Sequence, residues 1–275
     1  MAATAERAPG GAPEEKPEGT PCWADVLLPD LEAGKRFYGE LFGWTFADEG
    51  ETYGPYATAL NDGRRVAGLA PKRDGRMPTA WGVYLATVDA VALAARVREA
   101  GGQVITEPMR VGAAGITALV ADPGGAVFGL WQAEEHAGFE KEGLPGSYCW
   151  TEVYTRARDK DAVDAFYDAL FGYRTRDLDD PSVDFRVWSP AGAGEPTDAD
   201  AIGGRSVIGE AFPAEMPAHF LVYFAVADCD EAVAAAVRLG GRVTEDPFDT
   251  PYGRIALLAD DQGAAFAVLA DPRAA

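Results

Sequence analysis

Between Trp23 and Leu28 the pattern of side chains fits a short strand. From Leu31 to Phe42 the period lengthens. Phe37/Leu41 and Tyr38/Phe42 stand four residues apart, as on one stripe of a helix, and Gly43 can end that helix with a positive φ. Three short strands are predicted next, at Trp44–Asp48, Tyr56–Leu60 and Arg64–Ala70. The order then restarts. A strand over Ala80–Ala86 leads to a helix over Ala90–Ala100, stopped by Gly101-Gly102, and strands follow over Gln103–Thr106, Ile116–Ala121 and Val127–Trp131. The unit is βαβββ, run twice.

The pattern then returns a second time. LPDLEAGKRFYGELFGW, ending at Trp44, matches ARDKDAVDAFYDALFGY, ending at Tyr173; upstream, the segment around Trp23 and Asp25 matches that around Trp150 and Glu152. VDAVALAARVREAGGQVITEP matches ADCDEAVAAAVRLGGRVTEDP, and GITALVADPGGAVFGLW matches GRIALLADDQGAAFAVLA. Four blocks in one order point to a duplication. The predicted organisation is a disordered tail over 1–17, rich in Pro, Gly and Glu, a first domain over 18–133, a polar linker over 134–145 and a second domain over 146–271. One βαβββ module cannot bury both faces of its sheet. The expected fold class is therefore α+β: two tandem domains, each of two paired βαβββ modules forming a cup-shaped, incompletely closed sheet with helices outside. The cup interior is the natural ligand site. The acidic, Gly- and Pro-rich segment from Asp177 to Pro217 reads as a long loop with no counterpart of that length in the first half.

Charge and composition narrow the partners. A net charge of −20 repels phosphate backbones and anionic lipid, so neither nucleic acid nor membrane is expected. No apolar run approaches the roughly 18 residues that span a bilayer, and the N-terminus lacks the apolar segment of a secretory signal. Three scattered cysteines make neither a disulfide framework nor a zinc motif. The expectation is a cytoplasmic monomer or homodimer that takes a small-molecule ligand.

The repeated motifs resemble the vicinal oxygen chelate superfamily, which includes glyoxalases, bleomycin-resistance proteins and dioxygenases. They are Asp30…Phe37-Tyr38…Leu41-Phe42-Gly43-Trp44, Asp159…Phe166-Tyr167…Leu170-Phe171-Gly172-Tyr173, the turn Asp122-Pro123-Gly124-Gly125, and the looser Asp260-Asp261-Gln262-Gly263. The resemblance implies a two-domain form with four modules. Metal-dependent members hold a divalent ion with His, Gln or Glu on first and last strands. Here those places fall on Trp23 and Trp150, near Val83 and Val222, and on Gly129 and Ala267, with a remaining position in Arg64–Pro71 or around Asp200–Val207. These side chains supply almost no donors. No metal ligand and no cofactor is therefore predicted, although a divalent metal held by other residues stays open.

What the strands would leave in the cups is aromatic and acidic. If Trp23 points inward, so do Asp25 and Leu27, and in the second half Trp150, Glu152 and Tyr154. Trp81, Val83 and Leu85, or Phe220, Val222 and Phe224, would face them, with Val127 and Trp131 from the last strand. His219 reads as a polar residue at a cup mouth. Asp25 and Glu152 are the catalytic candidates, because a buried carboxylate is suited to proton transfer near neutral pH. Pairing with Arg65 or Arg186 is the structural alternative. Trp23, Trp81, Trp131, Trp150, Phe220 and Phe224 are the candidate substrate contacts, suited to a flat aromatic or polyketide-like molecule; packing is their alternative. Three functions remain. One is a metal-independent enzyme of secondary or detoxification metabolism, such as an isomerase, cyclase, lyase or hydratase. The second is a binder that sequesters a drug-like metabolite. The third is a metal-dependent lyase or dioxygenase.

Overall fold

The computed structural model describes residues 16–48, 50, 54–76, 78–179, 183–194, 197–209, 212–213 and 215–271. Most of the expected N-terminal tail lies outside them.

The first module runs β1 (Pro21–Leu28), α1 (Leu31–Phe42), β2 (Thr45–Asp48), β3 (Ala57–Asn61) and β4 (Arg64–Pro71); the second runs β5 (Trp81–Ala86), α2 (Ala90–Glu99), β6 (Gln103–Val111), β7 (Gly115–Ala121) and β8 (Val127–Ala133). The third and fourth repeat them as β9 (Tyr148–Arg156), α3 (Lys160–Phe171), β10 (Arg174–Asp177), β11 (Phe185–Ser189), β12 (Gly203–Ile208), then β13 (His219–Ala225), α4 (Cys229–Arg238), β14 (Arg242–Thr250), β15 (Gly253–Ala259) and β16 (Ala265–Ala270). The strands form two mixed sheets, ordered β2-β3-β4-β1-β5-β8-β7-β6 and β10-β11-β12-β9-β13-β16-β15-β14. Both are open, and the α+β architecture of four βαβββ modules is as expected.

Two expectations on element bounds are corrected. The segment Asp177–Pro217 is not one loop, because β11 and β12 lie within it. Strand β6 does not stop at Thr106 but runs to Val111 through Pro108. It tolerates the proline because it is the edge of its sheet and its pairing with β7 shifts register between Thr106 and Met109.

By packing, the chain divides into two compact units. One holds the described residues of 1–22, 83–137 and 151–220, which is essentially the second and third modules; the other holds those of 23–82, 138–150 and 221–275, essentially the first and fourth. Within each unit the repeated motifs meet crosswise. The Tyr38 hydroxyl on α1 donates to Asp260 Oδ2 at 2.8 Å, at the turn before β16. Tyr167 on α3 donates to Asp122 Oδ2 at 3.2 Å, at the turn before β8. The other oxygen of each aspartate holds its own turn: Asp122 Oδ1 accepts from Ala126 N, and Asp260 Oδ1 from Gln262 N and Ala264 N. The Phe-Tyr and Asp-Pro-x-Gly motifs are thus two ends of one buried hydrogen bond. Burial raises both tyrosine hydroxyls well above their ordinary pKa, and the facing aspartates add to it.

The helix-facing side of each sheet is the core. Val26 and Leu28 are fully buried, and Leu28 lies under Gly34 of α1, where an added Cβ would come within 2.1 Å of it. Phe37 of α1 packs edge-on against Phe266 of β16, and Phe128 and Phe166 make the equivalent contact in the other unit. Helix α1 is started by Asp30, whose carboxylate accepts from Ala33 N, and ended by Gly43 at φ 70°.

Candidate functional site

Strand parity, fixed by the helix contacts, decides what faces away from the helices. On β1 the fully buried Ala24, Val26 and Leu28 point to the helix side, so Trp23, Asp25 and Leu27 point to the other, open face. On β9 Val153 and Thr155 take the helix side, leaving Trp150, Glu152 and Tyr154 on the open face. On β8 Phe128 packs on Phe166, so Val127, Gly129 and Trp131 are open-face residues. These assignments agree with those expected.

On β5 and β13 the parity is the reverse of the expected one. Trp81 donates its indole N–H to the Tyr38 hydroxyl at 2.9 Å and lies among Tyr38, Trp44 and Phe224. Phe224 also meets Phe42, and Phe220 packs on Phe128 and Tyr167. Trp81, Phe220 and Phe224 are therefore helix-side core residues, and Val83, Leu85 and Val222 share their side. The open face takes Gly82 and Tyr84 from β5, and His219, Leu221 and Tyr223 from β13.

In the unit of the first and fourth modules, a carboxylate, a phenol and an indole form a chain. Trp23 Nε1 donates to the Tyr56 hydroxyl oxygen at 2.8 Å, and the Tyr56 hydroxyl stands 3.3 Å from Asp25 Oδ2. Asp25 is half-buried, and Trp23 is buried against Phe139, whose ring stacks on Tyr148. Two glycines make the room. Asp25 is paired across the sheet with Gly68, and the Tyr56 hydroxyl lies directly over that glycine; an added Cβ would come within 1.8 Å of it. Gly82 flanks Asp25, its Cβ position 3.5 Å from Oδ1. Tyr56 fell within a predicted strand but was not predicted as a site residue, because it joins Asp25 only through the β3–β4 and β4–β1 registers.

The third module rebuilds the same geometry with one change. Glu152 on β9 is half-buried and paired with Gly204, as Asp25 is with Gly68. A ring again covers the glycine, but it belongs to Phe185, 2.4 Å from an added Cβ. Phe185 opposes Ser206, two residues beyond Gly204. That is the place Tyr56 holds beside Ala57, which opposes Leu69. At the outer end Tyr154 stacks on the His219 imidazole, with centroids 5.1 Å apart and planes 5° from parallel. Burial pushes that imidazole below its ordinary pKa, against the opposing effect of the Pro217 carbonyl. Trp131 is anchored by donating to the His136 carbonyl at 2.8 Å, and Trp150 is half-buried.

The arginines considered as partners are engaged elsewhere. Arg65 pairs with Glu140 at 3.6 Å, and Arg186 pairs with Asp164 and Asp177. Arg186 also borders a depression of about 240 Å³ on the α3 side, lined with Asp164, Tyr167, Tyr173 and Trp188. Beneath it the fully buried Arg205 holds Asp164 and Asp184. These ions neutralise one another and brace β11 and β12 against α3.

Donor chemistry bears on a metal. The open-face positions matching the superfamily's ligand places carry Trp23, Gly129, Trp150 and Ala267. Among the described residues no group of three or more His, Cys, Asp and Glu side chains converges as a metal site. The described residues at those places do not supply the donors of an ion held as in metal-dependent relatives. Among the described residues no helix is long and apolar enough to cross a membrane.

Known proteins carry the same architecture. Residues 23–130 match the Glyoxalase/Bleomycin resistance protein/Dioxygenase superfamily, and residues 152–269 match a Glyoxalase-like domain. The chain is 40% identical over 274 residues to the anthracycline biosynthesis protein DnrV of Streptomyces peucetius, covering 91% of this chain and 93% of the relative. Among solved structures it resembles the Mn(II)-bound glyoxalase of Novosphingobium aromaticivorans, with TM-score 0.61, 16% identity, and 92% and 82% of the two chains covered. It also resembles the 2,3-dioxygenase LapB of Pseudomonas sp. KL28, with TM-score 0.63, 13% identity, and 93% of each chain covered. At these identities the two structures bear on fold alone.

Proposed function

Because the chain belongs to the glyoxalase/bleomycin resistance protein/dioxygenase superfamily, we propose that it is a small-molecule enzyme of secondary metabolism that moves protons with an open-face carboxylate, without a metal. The observation that carries this reading is the recurrence of Asp25 and Glu152. Each is a half-buried carboxylate, each is paired with a glycine, and each lies beside an aromatic ring. Beside a bound carbonyl compound, a half-buried carboxylate of this kind can take or return a proton.

The substrate class follows from the same surroundings. Trp23 and Tyr56 beside Asp25, and Phe185 and Tyr154 beside Glu152, favour a flat aromatic ketone, in keeping with a relative named for anthracycline biosynthesis. Isomerisation, ring closure and water addition all begin by removing a proton beside a carbonyl. The cytoplasm is the proposed location, and the domains are proposed to follow the duplication, 18–133 and 146–271. A second reading, a binder that sequesters the same class of molecule, is favoured only in the second half, where Phe185 replaces the phenol beside the acid.

The test uses the full chain and 2-tetralone, an aromatic ketone with an acidic methylene. The protein is expected to accelerate uptake of deuterium from D2O at that methylene, read by proton NMR. Acceleration should survive chelation and dialysis, with metal analysis showing less than stoichiometric metal. Loss of the acceleration on chelation, regained with one divalent ion per chain, would refute the metal-free mechanism. Binding of the ketone without acceleration would favour the sequestering role.

A further inference from the structure

We infer that Tyr56 is a catalytic residue, the hydrogen-bond donor to the substrate's carbonyl oxygen, and that it assigns the chemistry to the first half of the duplication. The inference rests on the proton-transfer reading above and adds to it the second reacting group and the half in which it works.

Three observations carry it. The Tyr56 hydroxyl donates to Asp25 Oδ2 at 3.3 Å, so a ketone seated there meets a base and a donor at adjacent positions once that hydroxyl turns from the acid to the carbonyl oxygen. The Tyr56 oxygen already accepts the Trp23 indole N–H at 2.8 Å. A phenol whose oxygen accepts a hydrogen bond is polarised into a stronger donor, and negative charge arriving on that oxygen is stabilised. Third, the duplication supplies its own comparison. The third module keeps the acid (Glu152), the paired glycine (Gly204) and the ring above it, but the ring is Phe185 and carries no hydroxyl. Packing over the glycine therefore requires only a ring. The hydroxyl is an addition confined to the half that holds Asp25.

The step balances within the substrate and these two residues. The Asp25 carboxylate takes the proton from the carbon beside the carbonyl. The C–H electron pair becomes the C=C bond of the enolate, and the carbonyl π pair moves to oxygen, where the Tyr56 hydroxyl donates to it. Return of the proton from Asp25 to the same carbon gives exchange, and return to a different carbon gives isomerisation. An aspartate base beside a tyrosine donor suits this chemistry at neutral pH.

The test compares wild type, Y56F, D25N and E152Q as full chains, measuring deuterium uptake by 2-tetralone and its binding by tryptophan fluorescence. Y56F keeps the ring over Gly68, just as Phe185 covers Gly204, so it should fold like wild type by circular dichroism. The expected result is a loss of about 100-fold in exchange for Y56F, the scale of removing one oxyanion donor, with binding changed less than about two-fold. D25N should remove the exchange, and E152Q should lower it less than D25N does. Exchange undiminished in Y56F but lost in D25N overturns this inference and leaves the proposed function standing. Exchange lost in E152Q but kept in D25N overturns the assignment to the first half. No acceleration by wild type overturns both.

Discussion

Replacing Tyr38 with phenylalanine removes a single buried oxygen, and the structure sets what that should cost. The ring would stay where it is, against Phe37, Trp44, Trp81 and Phe266. Two hydrogen bonds would go. Asp260 Oδ2 loses a donor at 2.8 Å, and the buried Trp81 N–H loses its acceptor at 2.9 Å. A bond to a charged group contributes about 1.5–3 kcal/mol, and an orphaned buried donor costs about 1–3 kcal/mol. The two share one oxygen and do not add fully, so about 3 kcal/mol is expected. Y167F is the internal control. It removes one bond, longer at 3.2 Å, and Phe220, which has no N–H, packs on Tyr167 where Trp81 packs on Tyr38, so about 1–1.5 kcal/mol is expected. Urea unfolding of wild type, Y38F and Y167F, followed by circular dichroism and fluorescence, reads both. A D260N double-mutant cycle then separates the Tyr–Asp coupling from the Tyr–Trp bond. Equal costs for the two variants, or a Y38F cost below about 1 kcal/mol, would refute the view that these motifs act as buried hydrogen-bond ties.

Other consequences follow from single residues. D164A strands the fully buried Arg205 guanidinium beside Asp184 alone and should cost about 3 kcal/mol in urea unfolding, with R205M in the same chain recovering much of it. G68A should drive the Tyr56 ring from its place and lower 2-tetralone exchange as far as Y56F does, whereas G204A, which displaces only Phe185, should cost less activity than G68A. Burial raises the Asp122 carboxyl above its ordinary range, against hydrogen bonds from Ala126 N and Tyr167. The native state then holds that proton more tightly than the unfolded chain, so its contribution to stability is largest below the ordinary carboxylate pKa and falls as pH rises to the raised one. Wild type minus D122N should therefore show unfolding free energy declining from about pH 4 upward, and a rising difference would contradict the sign.

The sequence carried the modules but not all of their faces. Helix α1 was legible to the residue, because the Phe37/Leu41 and Tyr38/Phe42 spacing and Gly43 mark both its face and its end. The orientation of β1 was legible because Asp25 breaks the apolar run on one face only. Strand β13 gives no such break. From Phe220 to Ala225 every residue is buried, so alternation carries no information about which face Phe224 takes. On β5 the open face begins with Gly82, whose smallness hid that it faces Asp25. Strands β11 and β12 were lost for a different reason: Arg205, fully buried in mid-strand, reads as a surface residue until its aspartates are placed around it. Tyr56 needed two strand registers to reach Asp25, and no local spacing reports that.

The differences between the halves sort by what they touch. The parts that hold the fold recur in kind: tyrosine to turn aspartate on Tyr38 and Tyr167, and carboxylate opposite glycine on Asp25 and Glu152. Differences occur on both faces, and some of those on the open face lie beside the acids. Tyr56 stands where the third module has Phe185, and the stacked pair Tyr154 and His219 occupies places held in the first half by Leu27 and Ala80. The differences beside the two acids fit separate tasks, proton transfer beside Asp25 and ring stacking beside Glu152. His219 sharpens the point. Held below its ordinary pKa by burial, it is a neutral imidazole at pH 7, so it offers Tyr154 and any stacked ligand a flat uncharged partner rather than a cation. If that division holds, H219A should weaken binding of 2-tetralone while leaving its exchange rate at saturation nearly intact, the opposite split from Y56F. A matching fall in both constants for the two variants would mean that one site does both jobs.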